Sequence, residues 1–414
     1  MCKTLPIYIL AIILFFTIRS LIAQNQKTVI VLSAPSVNDS YYASVFDSII
    51  SFDVQFANTV NSIHGTDNVI ILTDNATKPY LQAHLPDSIL LQANVADIWI
   101  RDFSPLVTAK NIKFDFKPNY LSSYDANYID NSFRNWYQST GLQYDNNHPL
   151  IIDGGNFVWN RKDKAIITER VFTDNPGYTL YQIDSILKNL LNLQEICYLP
   201  EESGDLTGHS DGMVMFVDTN KIFVNTYTEP FRTQVLNAIS TYLTNVSVTE
   251  VVYPYDTSTW NGWPSACGIY LNCLITENYI YMPVYGLPDD LVMQNLIQTN
   301  SGKQVIAIDA SSVCYMGGSV RCLTWVVTDS DADTLLHLIN NQLSINEVRE
   351  KNKDFKIYPN LSNTFITAEF KNTKNAKYDL TIIDVYGQVC FSEKNIISDK
   401  IVVNVNQELK YDKK

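Results

Sequence analysis

The sequence has little positive charge. Its 414 residues contain 30 Lys and Arg against 43 Asp and Glu, so the formal net charge at pH 7 is −13. A nucleic-acid partner would require clustered positive charge against its phosphates, and this balance argues against one. An acidic protein suits a cationic substrate, although an acidic surface more often serves solubility alone.

Metal ligands and cysteines are also sparse. The sequence has five His, and no group of His, Cys, Asp and Glu has the spacing of a metal site, so we expect no metal or other cofactor. Cys267 and Cys273, if on one strand, would lie about 20 Å apart, whereas bonded cysteines need Cα atoms under about 7 Å apart. We therefore expect no dense disulfide framework, and the large core that this length allows makes disulfides dispensable.

Long apolar runs are confined to the N-terminus, which begins "MCKTLPIYILAIILFFTIRSLIAQNQ". The run from Ile7 to Ile18 follows the positive charge of Lys3, ends before a small-residue cleavage point at Ala23, and is too short to span a membrane. It predicts a signal peptide over residues 1–23 and therefore an exported protein. Cys2 does not stand at a lipoprotein attachment position, so we expect no lipid anchor.

Strand-like and helical patterns alternate after this leader. The helical patterns include "EPFRTQVLNAISTYLTNV" and "DDLVMQNLIQTN". The strand-like runs include "TVIVLSA", "NVIILTD", "IWIRDFSPLVTA", "LIIDGGNFVW", "KAIITERVF", "MVMFVD", "KIFVNTY", "CGIYLNCLI", "YIYMPVYG", "QVIAIDA" and "CLTWVVT". This alternation predicts an α/β fold.

The chain changes character near residue 345. The charged stretch "NEVREKNKDFKIYPNLSN" is followed by short alternating strands with turn residues between them. We predict a main domain over residues 24–343 and a small β-sandwich domain over residues 344–414. The second domain, of about seventy residues, is small for a single hydrophobic core.

Five polar markers lie beside strands of the main domain and recur about every fifty residues, which suggests repeated supersecondary units around a centre. They are Asp102 in "WIRDFSP", Asp153 in "DGGN", His209 in "GHSD", Asn272 in "YLNCL" and Cys322 in "GGSVRC". Taken singly, such residues are more often a packed cysteine, a satisfied histidine, a surface ion pair or a capped turn.

Taken together, four residues have the chemistry to modify a guanidinium group. Two carboxylates, Asp102 and Asp211, can hold the planar cation by charge-assisted hydrogen bonds. The thiolate of Cys322 can attack its central carbon, and His209 can protonate the departing ammonia and then activate water. If "GHSDGMVMFVD" is extended, His209 and Asp211 project from one face, since residues two apart on a strand do so.

These ordered motifs resemble the agmatine deiminase and bacterial-type peptidylarginine deiminase family of guanidine-modifying enzymes, over residues 28–340. The resemblance implies the pentein fold, a five-bladed pseudo-symmetric α/β propeller with the site at its centre. It implies the four catalytic roles given above and a covalent Cys thiouronium intermediate. It adds three substrate-binding positions: Trp99 beside the substrate stem, Asn272 near the reacting carbon, and Asp153 where the family usually has Glu.

Three departures from the family pattern bear on these roles. Arg321 stands where the family has His, Ser104 replaces a usual Gly, and "FDFKPNYLSSYD" has Lys117 but no Arg pair to hold a C-terminal carboxylate. The missing pair argues against specificity for a C-terminal arginine. Neighbours on a strand face opposite sides, so Arg321 is predicted to point away from the thiol of Cys322 and to be structural.

The tail resembles the C-terminal sorting domain of type IX secretion cargo. The resemblance rests on "FKIYPNLSN" and "YDLTIIDVYGQVCF", with Leu361 in place of the usual second Pro and no closing Gly-x-Tyr strand. It implies the type IX secretion machinery as a partner and a secreted or cell-surface location. The missing strand leaves open whether the domain is complete and cleaved.

The predicted function is that of an exported deiminase that converts the guanidino group of peptidyl-arginine or agmatine to a ureido group plus ammonia. Three alternatives stay open: an agmatine deiminase that makes N-carbamoylputrescine, an amidinotransferase that hands the amidino group to an amine, and a secreted binding or adhesion protein with a lapsed site. The partner is thus a guanidino small molecule or an arginine-containing peptide or protein, and the oligomeric state is open.

Overall fold

The structure, a computed structural model, describes residues 27–108, 110–351, 355–358, 365–370, 377–383 and 389–404. These residues form two compact units, divided between Asn340 and Asn341. The predicted signal peptide lies outside the described residues. Within the described ranges, no helix is both long and apolar enough to cross a membrane.

Helices and strands alternate along the first unit, and this confirms the α/β class. The helices are α1 (Phe46–Ser62), α2 (Lys78–Gln82), α3 (Ile100–Phe103), α4 (Ser123–Ser139), α5 (Arg170–Asp174), α6 (Leu180–Leu191), α7 (Phe231–Tyr242), α8 (Asp290–Ser301) and α9 (Asp329–Lys351), which continues into the second unit. Short 3-10 turns cover Asp87–Ile89, Gly154–Asn156, Ser210–Gly212 and Cys314–Met316.

Strands β1 to β17 belong to the first unit and β18 to β22 to the second. They are β1 (Thr28–Ser33), β2 (Asp67–Thr73), β3 (Leu90–Gln92), β4 (Leu106–Val107), β5 (Asn111–Ile112), β6 (Val158–Trp159), β7 (Lys164–Thr168), β8 (Glu195–Leu199), β9 (Val214–Asp218), β10 (Lys221–Asn225), β11 (Ser247–Val251), β12 (Thr259–Trp260), β13 (Trp263–Pro264), β14 (Leu274–Ile275), β15 (Tyr279–Val284), β16 (Gln304–Asp309), β17 (Trp325–Thr328), β18 (Phe355–Tyr358), β19 (Phe365–Phe370), β20 (Tyr378–Ile383), β21 (Val389–Ile396) and β22 (Lys400–Asn404).

One sheet pattern recurs in the first unit: an antiparallel pair whose second strand pairs in parallel with a third. Sheets β6-β7-β8, β9-β10-β11 and β14-β15-β16 have this pattern. Strand β17 pairs with β1 in the antiparallel sense, and β1, β2 and β3 are parallel. The β4-β5 hairpin is extended by a parallel bridge between Ile112 and Asp145. The arrangement of these units as a five-bladed propeller stays a prediction.

Central strands of these sheets are buried on both faces, and β1 is an example. All its residues are buried. Val29 and Val31 pack in one apolar cluster, while Ile30 and Leu32 pack in another. A continuous apolar run, rather than strict alternation, is typical of a strand covered on both sides.

Helix α6 shows why the segments between strands become helical. Thr179 and Gln182 form a capping box, in which the Gln182 N–H donates to Thr179 Oγ1 at 3.3 Å and the Thr179 N–H donates to Gln182 Oε1 at 2.9 Å. Leu187 and Leu191, one turn apart, are buried on the inner face. Asn192, in the left-handed conformation, ends the helix.

Three runs that the sequence predicts as strands form helices, turns or loops around their polar markers. The "IWIRDFSPLVTA" run forms α3 and the two-residue β4, "LIIDGGNFVW" forms the turn Gly154–Asn156 before β6, and "CGIYLNCLI" is a strand only at β14. Polar side chains there accept hydrogen bonds from backbone N–H groups of segments distant in sequence. For example, Asn272 Oδ1 accepts a hydrogen bond from the Arg321 N–H at 3.0 Å.

The structure contains a disulfide that the sequence analysis did not identify. Cys267 and Cys314 are bonded, with Cα atoms 4.8 Å apart and a sequence separation of 47. The spacing argument compared Cys267 with Cys273, whereas the fold brings in a cysteine from a distant 3-10 turn. Cys197, Cys273 and Cys322 are free thiols.

Loss of this disulfide is expected to lower the free energy of unfolding by about 2–4 kcal/mol, because closing a loop of this length restricts the unfolded chain. Urea unfolding of the wild type and of the Cys267→Ala/Cys314→Ala variant, each with and without dithiothreitol, measures the effect. The reductant should destabilise the wild type alone. An equal response of both proteins would contradict a structural role for the bond.

The second unit contains two small antiparallel sheets, β18-β19-β22 and β20-β21. Buried Ala368 and Ile396 belong to one apolar cluster, and Cys390 and Val403 to another. Whether the sheets form a sandwich stays a prediction, as does the boundary after residue 343, which lies within α9. Leu361 and residues 384–388 of the resemblance to a sorting domain lie outside the described residues.

Candidate active site

A cavity of about 430 Å³ in the first unit brings most of the predicted site residues together. Six of the seven line it, including all four predicted catalytic residues: Trp99, Asp102, His209, Asp211, Asn272 and Cys322. The seventh, Asp153, is buried behind the ring of His209. Residues from "WIRDFSP", "GHSD", "YLNCL" and "GGSVRC" therefore share one site, as the sequence predicts.

The Asp102 carboxylate is fixed by α3 and by the neighbouring "DGGN" turn. The Gly155 N–H donates to Asp102 Oδ1 at 3.1 Å. The Arg101 N–H donates to the Cys322 carbonyl at 3.2 Å, which ties the carboxylate segment to the nucleophile segment. Burial raises the pKa of Asp102; the charge of His209 opposes this effect, and the carboxylate of Asp153 adds to it.

Gly155 leaves no room for a side chain. A Cβ there would lie 2.4 Å from His209 Nδ1 and 2.7 Å from Asp102 Oδ1. Gly155→Ala is therefore expected to displace both groups and to lower kcat/KM by at least about a hundredfold, since small misplacements at a reacting centre have large effects. Gly177→Ala is the matched control, because a Cβ at Gly177 meets nothing within 4 Å. Equal activity of the two variants, measured as release of ureido product, would contradict this geometry.

The His209 ring lies between two carboxylates. Its Nε2 is 3.2 Å from Asp153 Oδ2, and its Nδ1 is 3.7 Å from Asp102 Oδ1. Burial alone would lower the pKa of His209, but the carboxylates of Asp102 and Asp153 raise it to about 10. The ring is therefore an imidazolium near neutral pH and holds a proton that it can give to a leaving group.

Asp153 is better placed to orient His209 than to touch a substrate. One of its oxygens, Oδ2, contacts the ring and also accepts a hydrogen bond from the Tyr120 hydroxyl at 2.7 Å. The side chain is buried, and Asp153 is not among the described residues that line the cavity. Its position therefore gives no support to the direct substrate contact predicted from the resemblance.

His209 and Asp211 do not lie on a strand, contrary to the prediction. Ser210–Gly212 form a 3-10 turn, and β9 begins only after it. Two neighbouring segments hold this turn. Asn156 Oδ1, from the 3-10 turn Gly154–Asn156, accepts from the Ser210 N–H at 3.2 Å, and Ser210 Oγ donates to the Ile166 carbonyl of β7 at 3.1 Å. The two functional side chains still reach the same cavity, but a buried turn rather than strand alternation places them there.

Cys322 lies in a turn just before β17 and is held by Asn272. Asn272 Nδ2 donates to Cys322 Sγ at 3.3 Å, and its Oδ1 accepts from the Arg321 N–H at 3.0 Å. Burial and the carboxylates of Asp211 and Asp102 raise the pKa of the Cys322 thiol well above its usual value. The thiol is therefore neutral in the free protein near neutral pH, and a cation between the two carboxylates would favour the thiolate.

Arg321 lines a different cavity from the Cys322 thiol and is bonded on the far side of the wall. Its Nη1 donates to Asp211 Oδ2 at 2.8 Å, and its Nη2 donates to the Phe157 carbonyl at 2.8 Å. The prediction relied on strand alternation, whereas Arg321 and Cys322 lie in a turn. Arg321 thus orients Asp211 by an ion pair behind the cavity wall. Its assignment as a structural residue, rather than one that tunes the Cys322 thiol, stays a prediction.

Trp99 forms part of the wall next to the nucleophile segment, at the residue before α3. A Cβ at Gly318 would lie 2.2 Å from Trp99 Cζ3, so the second glycine of "GGSVRC" lets the indole pack directly on backbone. The exposed part of the ring offers an apolar face for the stem of a substrate.

The remaining cavity wall is acidic and aromatic. Its described lining residues include no Lys or Arg, but beyond Asp102 and Asp211 they include five carboxylates: Asp39, Asp97, Asp125, Glu202 and Asp205. Eight Tyr and Trp residues also line it: Tyr41, Tyr42, Trp99, Tyr120, Tyr128, Tyr253, Tyr255 and Trp263. Carboxylates and aromatic faces both attract organic cations.

Three residues that support the site were missed by reasoning from sequence: Tyr120, Gly155 and Asn156. Asn156 Oδ1 accepts hydrogen bonds from the Thr168 N–H at 2.9 Å and the Ser210 N–H at 3.2 Å. The sequence carries a signal for the last two, since both belong to "DGGN". It carries none for Tyr120, which is one of 25 tyrosines with no distinctive spacing.

Comparison with known proteins decides the family. The model of the Porphyromonas-type peptidyl-arginine deiminase family matches residues 23–327. The chain belongs to this family. A protein of Lactococcus lactis subsp. lactis named "Putative agmatine deiminase" is 22% identical over 321 residues, 66% of this chain and 86% of that protein. A protein of the same name from Shewanella frigidimarina is 22% identical over 207 residues, so the match spans 42% of this chain and 56% of that protein.

The fold of this deiminase-family chain is shared with a solved structure. The structure of C. jejuni agmatine deiminase superposes with a TM-score of 0.61 at 17% identity, over 73% of this chain and 97% of that chain. Family membership confirms the prediction of a hydrolase that acts on the non-peptide C–N bonds of linear amidines. No comparison tests the individual site residues, whose roles stay predictions.

Proposed function

We propose that this protein is an exported deiminase that hydrolyses a guanidino group to a ureido group and ammonia. The observation that carries the proposal is one cavity lined by a thiol, an imidazole and two carboxylates, with no Lys or Arg among its described lining residues. Paired carboxylates hold a planar guanidinium in the orientation that presents its central carbon to a nucleophile.

In the proposed reaction, the guanidinium enters between Asp102 and Asp211 and offsets their negative charge. The thiol of Cys322 then loses its proton to solvent, and the thiolate attacks the guanidinium carbon. The tetrahedral adduct collapses, the C–N bond breaks, and His209 protonates the departing nitrogen, which leaves as ammonia. The product of this half-reaction is a thiouronium covalently bound to Cys322.

A water molecule completes the cycle. His209, now neutral, takes one proton from water as the oxygen attacks the thiouronium carbon. The C–S bond of the adduct then breaks, the adduct hydroxyl loses its proton to solvent, and the ureido product and the Cys322 thiolate are released. The hydrogen bond from Asn272 to Cys322 Sγ stabilises the sulfur as its negative charge develops. Asp153 holds the imidazole for both proton transfers.

The substrate best supported by the cavity carries a second positive charge and no free carboxylate. Asp39, Asp125 and Glu202 line the cavity in addition to the pair that holds the guanidinium, and its described lining residues offer no cation for an α-carboxylate. Agmatine, with a guanidinium and an ammonium, has this charge pattern. An arginine within a peptide lacks the free carboxylate but also lacks the second cation, and free arginine is disfavoured by its carboxylate.

A colorimetric assay for ureido product, run with agmatine, free arginine and an internal arginine in a blocked peptide, tests this function. The proposal expects turnover with agmatine highest and free arginine lowest. Product that depends on an added acceptor amine would indicate an amidinotransferase instead. No product from any of the three substrates, with folding verified by circular dichroism, would support a binding protein with a lapsed site.

The pH dependence of kcat/KM should follow the protonation of Asp102 and His209, whose pKa values are both raised. Because its pKa is raised, Asp102 takes up a proton at a higher pH than an ordinary aspartate does. The acid limb, where activity falls as the pH is lowered, should therefore lie well above about pH 4. The alkaline limb should lie near pH 10, where His209 loses its proton. Asp153→Asn removes a charge that raises the His209 pKa, so it should move the alkaline limb to lower pH. An unchanged limb in this variant would contradict the assignment.

Export through the inner membrane and then by the type IX machinery, to the medium or the cell surface, is part of the proposal. The Cys267–Cys314 disulfide supports an oxidising destination, since structural disulfides are rare in reducing compartments. Fractionation of cells that express the full chain, a chain without residues 1–23 and a chain without residues 344–414 tests it. Cytoplasmic retention of the full chain would contradict export. Release of the chain without residues 344–414 would contradict type IX sorting.

We also propose that the repeated sheets surround one pseudo-fivefold axis, as in the pentein fold. The recurrent pattern of an antiparallel pair and a parallel third strand supports this arrangement. So does the convergence of side chains from four of the five marker motifs on one cavity. An experimental structure of the first unit tests it directly.

A further inference from the structure

A second cavity, of about 310 Å³, lies beside the active-site cavity. The Arg321–Asp211 ion pair, with 2.8 Å between Nη1 and Oδ2, belongs to the wall between them, because Asp211 lines the first cavity and Arg321 the second. The sequence neighbours Arg321 and Cys322 therefore line different cavities.

The second cavity has the opposite charge from the first. Arg101, Arg161 and Arg321 line it, and the single Asp or Glu among its described lining residues is Glu277, which is exposed. Part of the cavity wall is apolar and includes the partly exposed Trp159 and Val326. It therefore combines an excess of guanidinium groups with surface suited to a short hydrocarbon.

The three guanidinium groups differ in how many of their N–H donors have a hydrogen-bond acceptor. Arg161 Nη1 donates to the Thr276 carbonyl at 2.8 Å, and Arg321 is bonded to Asp211 and to the Phe157 carbonyl. Arg101 donates only through Nε, to the Arg321 carbonyl at 3.3 Å. Within the described part of the chain, the two terminal nitrogens of Arg101 have no hydrogen-bond acceptor. They leave a fork of donors in a cavity whose single described carboxylate, Glu277, is exposed and is not bonded to Arg101.

This arrangement is electrostatically incomplete. Burial and the charge of Arg321 lower the pKa of Arg101, and the nearby carboxylates of Asp211 and Asp102 offset this effect only in part. An anion beside Arg101 would supply the missing acceptors, and a carboxylate matches the planar fork of a guanidinium better than a spherical ion does. The apolar part of the wall favours an organic carboxylate over an inorganic anion.

We propose that the second cavity binds a small organic carboxylate, held by the guanidinium groups of Arg101 and Arg321 with its hydrocarbon part against Trp159 and Val326. The ligand would share Arg321 with Asp211, so the two cavities are coupled through one ion pair. This coupling, unlike the binding itself, rests on the proposed function. When the carboxylate binds, Asp211 is less compensated and holds a cationic substrate more tightly, so KM should fall. By linkage, substrate should tighten carboxylate binding by the same factor.

Calorimetric titration of the full protein with sodium propionate, without substrate and against sodium chloride at equal ionic strength, tests the site. The expected result is saturable binding with a Kd on the order of 1 mM. Arg101→Gln should raise this Kd by at least about tenfold, as expected for loss of a charge-assisted fork. Arg232→Gln, which removes an arginine paired with Glu229 and Glu250 elsewhere, is the matched control and should leave the Kd unchanged.

Two outcomes would overturn the proposal: no saturable propionate binding by the wild type, or equal Kd values for the wild type and a folded Arg101→Gln variant. If Arg101→Gln does not fold, Arg101→Lys replaces it, because lysine keeps the charge but lacks the planar fork, and an unchanged Kd there would overturn the proposal as well. If chloride binds the site as tightly as propionate does, the cavity is a general anion site, and the proposal of an organic ligand is refuted. Failure of the proposed deiminase activity would leave the titration unaffected, so the two failures are distinguishable.

Discussion

Replacement of Cys322 by Ala is expected to abolish formation of the ureido product while leaving circular dichroism and the unfolding midpoint close to those of the wild type. The residue lies in a turn at the cavity wall, and its thiol contacts Asn272 rather than the apolar core. Loss of a covalent nucleophile leaves only substrate binding, so the expected loss of kcat is at least about 10⁴-fold.

Cys197→Ala is the matched control for this prediction. Cys197 is a fully buried free thiol in an apolar cluster, where burial raises its pKa to about 12. Its replacement should cost some stability and leave turnover unchanged. Residual turnover near the wild-type level in a folded Cys322→Ala protein would contradict the nucleophile assignment. Loss of helix and strand signal in that variant would show that Cys322 is a packing residue.

Replacement of Asp211 by Asn is expected to change turnover and thiol reactivity in opposite directions. The substitution removes half of the carboxylate pair that holds the guanidinium, and it leaves the cation of Arg321 without its partner. Breaking a buried charge pair costs about 3–5 kcal/mol, so kcat/KM should fall by at least about a hundredfold. Asp102→Asn should have an effect of the same order.

The thiol should become more reactive in the same Asp211→Asn variant. The Asp211 carboxylate raises the pKa of Cys322, so its removal should lower that pKa and speed alkylation by iodoacetamide near neutral pH. Asp39→Asn, at a carboxylate that lines the cavity but is not assigned to the guanidinium, is the control and should change alkylation little. Slower alkylation together with slower turnover would indicate general disruption rather than loss of a specific charge.

The sequence predicted which residues meet at the site better than how they meet. Cys322, His209, Asp102 and Asp211 could be found because their chemical types match one substrate group and their motifs recur along the chain. Their local geometry could not, because the polar side chains that shape the turns find partners far away in sequence. Asn156, for example, sets the turn at Ser210 through a hydrogen bond across 54 positions.

Arg321 and the disulfide show the same limit. Strand alternation gave the correct direction for Arg321, away from the thiol, although the segment is a turn and not a strand. It could not identify Asp211 as the ion-pair partner. The bond between Cys267 and Cys314 joins two loops whose proximity depends on the tertiary fold. Local periodicity identified most of the longer strands, such as β1 and β2, because burial on both faces leaves a continuous apolar run that a single sequence displays.

Mass analysis of the Cys322 peptide during turnover tests the central claim most directly. The wild-type enzyme is mixed with its best guanidino substrate, quenched in acid at times from the first turnover to the steady state, and digested. The account predicts a transient adduct on Cys322 whose mass is that of the substrate minus ammonia, and no adduct on Cys197 or Cys273. Ureido product that accumulates while the Cys322 peptide stays unmodified at every time would contradict it.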